Sequence, residues 1–425
     1  VNAVLHKIDN DRQIPDDLSV KYSVPENLIN MWKKQYGEDV LNEFLPCIND
    51  KPPLFAIPNK KFVNSDELLY ELECDGILGE AYDEFVLIEN ANDLTASKAF
   101  KNGLFYIEDL SSFNCANALD ALSDDLVLDM CSAPGGKAFT ISQSMNNSGK
   151  IYCYDLHEHR LNLIKSSAKR LSIDNIYTDV NDATVYNENI PKADKILCDV
   201  PCSGFGIIRR KPEIRYKDLD SVKDLPQIQY KILETSSRYL KDGGRIIYST
   251  CTLNKKENEK ALELWTSLLD KGYKISATYG RDWHREENTG HYGCTYLDVD
   301  DISAKSAMRA IRLGKTVISH GAKFIFRVHR HGVTSAIGDT VKKGNYTFSF
   351  FTDLHSRAKN SGDEDIVYNE IKIITNGGKC VLQTRYDERH VRLRLDSGKW
   401  YRAELWGTVD GEKRPLAITS PIYCE

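Results

Sequence analysis

Two cysteines carry the chemistry this sequence can do. Cys202 lies in Asp199-Val200-Pro201-Cys202 and Cys251 in Ser249-Thr250-Cys251-Thr252, each after an apolar, strand-like run. Upstream is a glycine turn, Asp129-Met130-Cys131-Ser132-Ala133-Pro134-Gly135-Gly136-Lys137. The turn alone indicates only a nucleotide-like cofactor. A thiol nucleophile with a second thiol near it adds a reaction class, methyl transfer to a carbon atom of a pyrimidine. A thiol of ordinary pKa, about 8.5, is only slightly ionised at neutral pH. Such a site must lower that value or remove the proton during attack. Taken singly, either cysteine also reads as a small buried thiol.

The glycine turn supplies the cofactor side. Pro134-Gly135-Gly136-Lys137 follows a strand and opens a helix. Glycines let the backbone turn tightly and approach a ligand without a Cβ clash. Amides at the helix start favour an anionic or polar group. Asp155 closes the next strand, where an acid suits the ribose hydroxyls of an adenosine cofactor. Asp182, in Asn181-Asp182-Ala183, is placed to border the adenine. The candidate cofactor residues are therefore Cys131, Ser132, Ala133, Pro134, Gly135, Gly136, Lys137, Asp155, Asp182 and Asp199. A hydride cofactor would bring Gly-x-Gly-x-x-Gly, which is absent here.

These residues need a sheet edge to hold them. Strands are expected at Leu126–Asp129, Lys150–Asp155, Asn175–Thr178, Lys195–Asp199 and Arg245–Ser249. Helices are expected at Lys137–Ser144, His159–Leu171 and Leu225–Leu240. Repeated βαβ units with apolar strands imply a parallel sheet covered on both faces. Asp129, Asp155, Asp199 and Cys251 then share the carboxyl edge, where such sheets bind ligands. The fold class is α/β, with a Rossmann-like parallel sheet. Ahead of it, residues 1 to about 120 read as mostly helical, with helices at Pro25–Tyr36 and Ser65–Leu72. From Phe324 onward, short alternating segments read as an antiparallel, sandwich-like β domain: Lys323–Val328, Tyr346–Phe351, Glu370–Thr375, Cys380–Thr384 and Trp400–Trp406.

Bulk composition narrows the partners. The 425 residues suffice for two or three domains, and 41% hydrophobic with 28% charged residues is ordinary for a globular protein. The net charge of -6 gives no global basic field, so nucleic acid must be held by local patches. The 11 cysteines show no regular close spacing, which fits a reducing, cytoplasmic setting without a disulfide framework. No apolar run approaches the roughly 18 residues that span a bilayer, so no membrane partner is expected. Because Val1 comes first and Met31 is the first methionine, the true start is expected to be missing.

With the motifs in place, Val127 to Glu259 resembles the catalytic domain of the RNA cytosine-C5 methyltransferases of the bacterial RsmB type, which modify 16S ribosomal RNA. The matching text is Leu128 to Lys137, Asp199-Val200-Pro201-Cys202-Ser203-Gly204-Phe205-Gly206, Arg209-Arg210-Lys211-Pro212-Glu213, Tyr248-Ser249-Thr250-Cys251-Thr252-Leu253, Asn254 and Glu257-Asn258-Glu259. Tyr22-Ser23-Val24-Pro25 and Gly103 to Asp109 resemble the same family's lead-in. The resemblance implies S-adenosylmethionine as cofactor and Cys251 as the thiolate that adds to cytosine C6. It implies that Cys202 assists release and that Asp199 hydrogen-bonds near the base N3 and the cofactor. DNA cytosine methyltransferases use the Pro-Cys thiol and lack Thr-Cys-Thr, so having both favours RNA. RNA contact would rest on Arg209, Arg210, Lys211 and Arg215, with Lys33 and Lys34 nearby. The family usually has arginine two residues before the position of Asn59, where this chain has Ile57.

From about Ala261 the text instead resembles the end of a PHP-type metal-dependent hydrolase, on Gly280-Arg281-Asp282-Trp283-His284, Gly314 to Ser319 and Pro421-Ile422-Tyr423 among other pieces. There Asp282 and His284 would be metal ligands. A metal centre needs three or four convergent ligands, and the barrel that would bring the others is not in this chain. His157 and His159 have a His-x-His spacing but sit beside Asp155, so no metal site is expected. The expected layout is 1–20, the remnant of a NusB-like RNA-binding domain; 21–120, the lead-in; 121–260, the methyltransferase domain; 261–320, a junction with the hydrolase-like remnant; and 321–425, the small β domain. The chain reads as two family pieces fused near residue 260. A metal-dependent phosphoesterase in the tail, or cofactor and RNA binding without turnover, stay open as alternatives.

Overall fold

The computed structural model describes residues 16–82, 84–90, 93–272, 294–299, 306, 309–311, 313–319, 322–353, 367–409 and 412–425. Asp282 and His284 lie outside them, as do residues 1–15 of the expected remnant.

The lead-in starts with α1 (Leu18–Tyr22), α2 (Glu26–Tyr36) and α3 (Glu38–Phe44). Leu28, Ile29 and Trp32 give α2 one buried stripe. Gly37, at φ +86°, ends it by donating its N–H to the Lys33 carbonyl. Next come β1 (Leu54–Pro58), α4 (Ser65–Cys74), β2 (Gly79–Tyr82), β3 (Phe85–Ile88), α5 (Lys98–Lys101), β4 (Phe105–Ile107) and α6 (Leu110–Ala118). Asn64 and Glu67 cap α4 reciprocally, each side chain accepting the other's backbone N–H at 2.9 Å. The lead-in is less helical than expected over 1–120: β1 to β4 form an antiparallel sheet in the order β2-β3-β1-β4. Strands of three to five residues leave too few alternations to be read as a period.

The parallel sheet holds β5 (Leu126–Asp129), β6 (Lys150–Asp155), β7 (Ile176–Val180), β8 (Ala193–Asp199) and β9 (Leu240–Ser249) in the order β7-β6-β5-β8-β9. Its helices are α7 (Gly136–Ser144), α8 (Glu158–Arg170) and α9 (Leu225–Ser237). Val127, Ile151, Cys153 and Leu197 pack toward Phe139, Leu161 and Ile164 on one face. Leu128, Tyr154, Ile196 and Cys198 pack toward Ile232, Leu233 and Tyr239 on the other. The strand order reverses between β5 and β8, opening a crevice at their carboxyl ends. Asp129 and Asp199 are the last residues of those two strands.

After α10 (Lys255–Asp270) the strands pair antiparallel, apart from Thr340–Val341, which runs parallel to Ile422–Cys424. The expected segments are all strands, extended to Lys323–Arg330, Gly344–Asp353, Val367–Thr375, Lys379–Arg385 and Lys399–Val409. Further strands, among them Thr316–Ser319, His390–Leu395 and Glu412–Thr419, complete a four-stranded sheet and an eight-stranded one. Phe324, Phe326, Phe348 and Phe350 of the first share a core with Ile371, Ile373, Ala403 and Leu405 of the second, as in a β-sandwich. Asp270, at the end of α10, accepts the Trp400 indole N–H at 3.0 Å, tying this domain to the methyltransferase-like part. Among the described residues no helix is long and apolar enough to cross a membrane.

Candidate active site

The glycine turn leaves β5 and closes on the neighbouring strands. Met130 N–H donates to the Leu197 carbonyl at 3.0 Å and Ser132 N–H to that of Tyr154 at 2.8 Å. Gly135 has φ +107°, and a Cβ there would come within 2.8 Å of the Phe139 ring. A Cβ on Gly136 would sit 2.9 Å from a carboxylate oxygen of Glu108. Glycine at both positions leaves the α7 start open to a ligand. Asp129 is 1% exposed, and neither its carboxylate oxygens nor the Ser132 hydroxyl make a hydrogen bond of ordinary geometry. Burial pushes the Asp129 carboxyl up to about 7. Unused polar atoms beside a bare glycine cradle fit a polar cofactor end at this turn. Cys131 lies among them, its thiol pushed up by burial.

The acids expected to line the cofactor sit differently from one another. Asp155 ends β6 and is 3% exposed. Arg160 approaches it at 2.9 Å and donates its other arm to the Ala133 carbonyl at 2.7 Å. That guanidinium locks the end of β6 to the glycine turn. Arg160 escaped the sequence reading because a basic residue in the first turn of a helix usually reads as solvated. Asp182 is exposed, two residues past β7, and accepts the N–H and hydroxyl of Thr184 at 2.9 and 2.6 Å. Asp199 accepts the Ser249 hydroxyl on one oxygen and the Lys137 ammonium, at 2.8 Å, on the other. Burial pulls the Lys137 ammonium down, but Asp199 outweighs it and the net direction is up.

The two thiols meet. The segments after β8 and β9 run side by side, and the Cys202 and Cys251 sulfurs are 3.0 Å apart. Cys251 N–H also points at the Cys202 sulfur, at 3.3 Å. The approach needs Gly206, whose N–H donates to the Cys251 carbonyl at 3.0 Å and whose Cβ would lie 2.9 Å from that oxygen. The bond from the Cys251 thiol lowers Cys202, while donating it holds Cys251 well above the ordinary thiol range. The pair titrates as one unit: its first proton leaves easily and its second is retained. Cys202 is the near acceptor for the Cys251 thiol proton.

The basic cluster has internal partners. Arg209 donates to the carbonyls of Asp50 and Lys51 at 3.3 and 3.2 Å. Arg210 pairs with Asp109 and donates to the Pro53 carbonyl at 2.6 Å. Arg215, 5% exposed, donates to the carbonyls of Tyr22 and Ser23 and to Asn49 at 2.9–3.2 Å. These three guanidinium groups, the expected phosphate contacts, bridge the lead-in and the parallel-sheet part through internal acceptors. Lys211 remains exposed. Asn59, 2% exposed, donates to the Gly103 and Leu171 carbonyls at 2.9 and 2.8 Å. His157 and His159 stack at 5.6 Å, and no group of three or more metal-ligating side chains converges among the described residues.

Comparison with known proteins bears on this geometry. Residues 116–276 match the family model described as 16S rRNA methyltransferase RsmB/F. A probable ribosomal RNA small subunit methyltransferase B of Bacillus subtilis is 37% identical over 278 residues, 62% of this chain and 62% of its own length. A tRNA (cytosine(72)-C(5))-methyltransferase of Pyrococcus horikoshii is 34% identical over 183 residues, 43% of this chain and 46% of that protein. The crystal structure of a methyltransferase homolog from the same organism superposes with a TM-score of 0.53 at 26% identity, covering 62% of this chain and 85% of that one. The NSun6 structure from Pyrococcus horikoshii, solved with SFG, shares the fold at a TM-score of 0.53 and 20% identity, over 60% of this chain and 91% of that one. The chain spans about three fifths of the length of its curated relative from Bacillus subtilis. The β domain beyond residue 294 is described by its two-sheet fold alone. Residues 116–276 are thus similar to the 16S rRNA methyltransferases of the RsmB/F type.

Proposed function

We propose that this protein methylates C5 of a cytosine in RNA, with small-subunit ribosomal RNA as the substrate class, through a covalent bond from Cys251 to the base. The observation that carries the reading is the 3.0 Å approach of the Cys202 and Cys251 sulfurs beside the Asp199–Lys137 pair.

When bound, S-adenosylmethionine would supply the activated methyl group, and the Gly135-Gly136 turn, Asp129, Ser132 and Asp155 would hold it. The chain's own groups do the rest. As the Cys251 sulfur bonds to C6, its proton passes to Cys202 and the ring's electron pair moves toward C5. Asp199, fixed by Lys137 and Ser249, faces the N3 edge of the base. Once C5 has been alkylated, solvent water reaching the exposed Cys251 takes its proton, and the C5–H electron pair restores the C5–C6 double bond. The C6–sulfur bond breaks and Cys251 leaves as a thiolate, with Cys202 as its hydrogen-bond partner. Lys211 is an exposed cation at hand for a phosphate.

The test is incubation with tritiated S-adenosylmethionine and unmodified small-subunit rRNA, followed by mapping of 5-methylcytosine. Label at a defined cytosine, abolished by Cys251→Ser, supports the reading. Absence of label from the wild type, or its persistence in C251S, overturns it.

A further inference from the structure

One buried carboxylate touches the neighbours of both thiols. Glu257, in the first turn of α10, is 1% exposed. Its Oε2 accepts the Ser203 N–H at 3.0 Å and the Gln229 side-chain amide at 2.8 Å. Its Oε1 accepts the Thr252 hydroxyl and the Asn254 side-chain amide, both at 3.1 Å. Ser203 directly follows Cys202, and Thr252 directly follows Cys251. Gln229 extends the bracket, donating to the Pro201 carbonyl at 2.9 Å on the other side of Cys202.

A helix cap does not account for this. A capping-box glutamate takes the backbone N–H of the cap residue. Here that N–H, of Asn254, goes to the Thr252 hydroxyl at 3.0 Å. Glu257 has turned both oxygens to the thiol loops, one oxygen to each. A buried carboxylate that gathers four donors is held in one geometry, because losing any of them leaves charge unmatched in a dry site.

We propose that Glu257 is a positioning residue that fixes the separation of the Cys202 and Cys251 sulfurs, so that the pair can share a proton. This rests on the reading of the pair as the methyl-transfer site. The groups facing the sulfurs are Asp199 and Lys137 at the sheet edge, Tyr248 on β9, Lys217, which donates to the Ser203 carbonyl at 2.7 Å, and Glu257 itself. Shortening Glu257 by one methylene keeps its charge but removes its reach to one loop. Glu257→Gln keeps the length, but its amide nitrogen then faces two donors.

The experiment follows thiol alkylation by iodoacetamide against pH, with Cys202 and Cys251 resolved by peptide mass spectrometry, in the wild type, Glu257→Asp and Glu257→Gln. The acid limb at Cys202 is expected to move to higher pH by about one unit or more, further in E257D, which keeps the repelling charge. Methylation should fall by about 100-fold, as for a misplaced reacting group. Thr252→Val removes a single donor, and a smaller shift in the same direction is expected should both Glu257 variants fail to bind S-adenosylmethionine in calorimetry. Wild-type alkylation curves in every folded variant, or slower methylation with an unmoved pH profile, overturn the proposal. A shifted alkylation curve in a protein whose wild type yields no 5-methylcytosine would keep the bracket and reject the functional reading.

Discussion

The Lys137 ammonium lies 2.8 Å from the Asp199 carboxylate, across the point where the strand order of the parallel sheet reverses. The pair joins the glycine turn to the thiol loop, since Lys137 is the second residue of α7 and Asp199 ends β8. Asp199→Asn keeps the size and removes the charge. Single-turnover methylation in D199N is expected to drop by about 100-fold or more, with the protein still folded by circular dichroism. A rate within a few-fold of wild type would show that the pair is only structural.

Gly135 tolerates a side chain poorly. Alanine there must hold φ near +107° and push against the Phe139 ring. Gly135→Ala is expected to lose about 1–3 kcal/mol of stability and to bind S-adenosylmethionine at least about tenfold more weakly, as α7 shifts to relieve the contact. Chemical denaturation and calorimetry measure the two effects.

Glu108 gives stability a pH dependence of its own. It is buried and accepts the Thr140 hydroxyl at 2.6 Å; burial raises its carboxyl from 4.5 to about 7. Between those values the folded protein holds a proton that the unfolded chain has lost. The contribution is therefore full below pH 4.5 and fades as pH rises through 7. Glu108→Gln mimics the protonated form and should flatten this loss by on the order of 3 kcal/mol. Asp129, also raised to about 7, leaves a residual slope. Thermal melts of both proteins across that range check the sign.

Lys211 and Arg215 should separate RNA affinity from folding. Lys211→Ala is expected to weaken RNA binding uniformly and to reduce its salt slope by about 1, with stability unchanged. Arg215→Ala should lower the melting temperature and leave the salt slope alone, because that guanidinium faces backbone carbonyls. Titrations at several salt concentrations decide it.

How much of this was legible before the fold? Leu126–Asp129 and Lys150–Asp155 coincide with the expected strands to the residue, because each is an apolar run that ends at an acid. Cys202 and Cys251 each follow a strand-like run in the sequence, but that these strands, β8 and β9, are neighbours shows only in the fold. What the text hides is where long side chains spend their charge. Arg210 and Arg215 look like a phosphate patch in one dimension, yet their partners, Asp109 and the Tyr22–Ser23 carbonyls, lie about 100 and nearly 200 residues away. Glu257 was visible only as part of a motif, and its bracket depends on Gln229, which carries no local signal.

The central claim is a transient bond between one named sulfur and the base. The most direct measurement is denaturing electrophoresis with mass spectrometry of Cys202→Ala incubated with S-adenosylmethionine and small-subunit rRNA. A protein–RNA adduct is expected in C202A, attached at Cys251 and absent from the C202A/C251S double variant. An adduct that persists without Cys251, or none in C202A while the wild type still methylates, would contradict it.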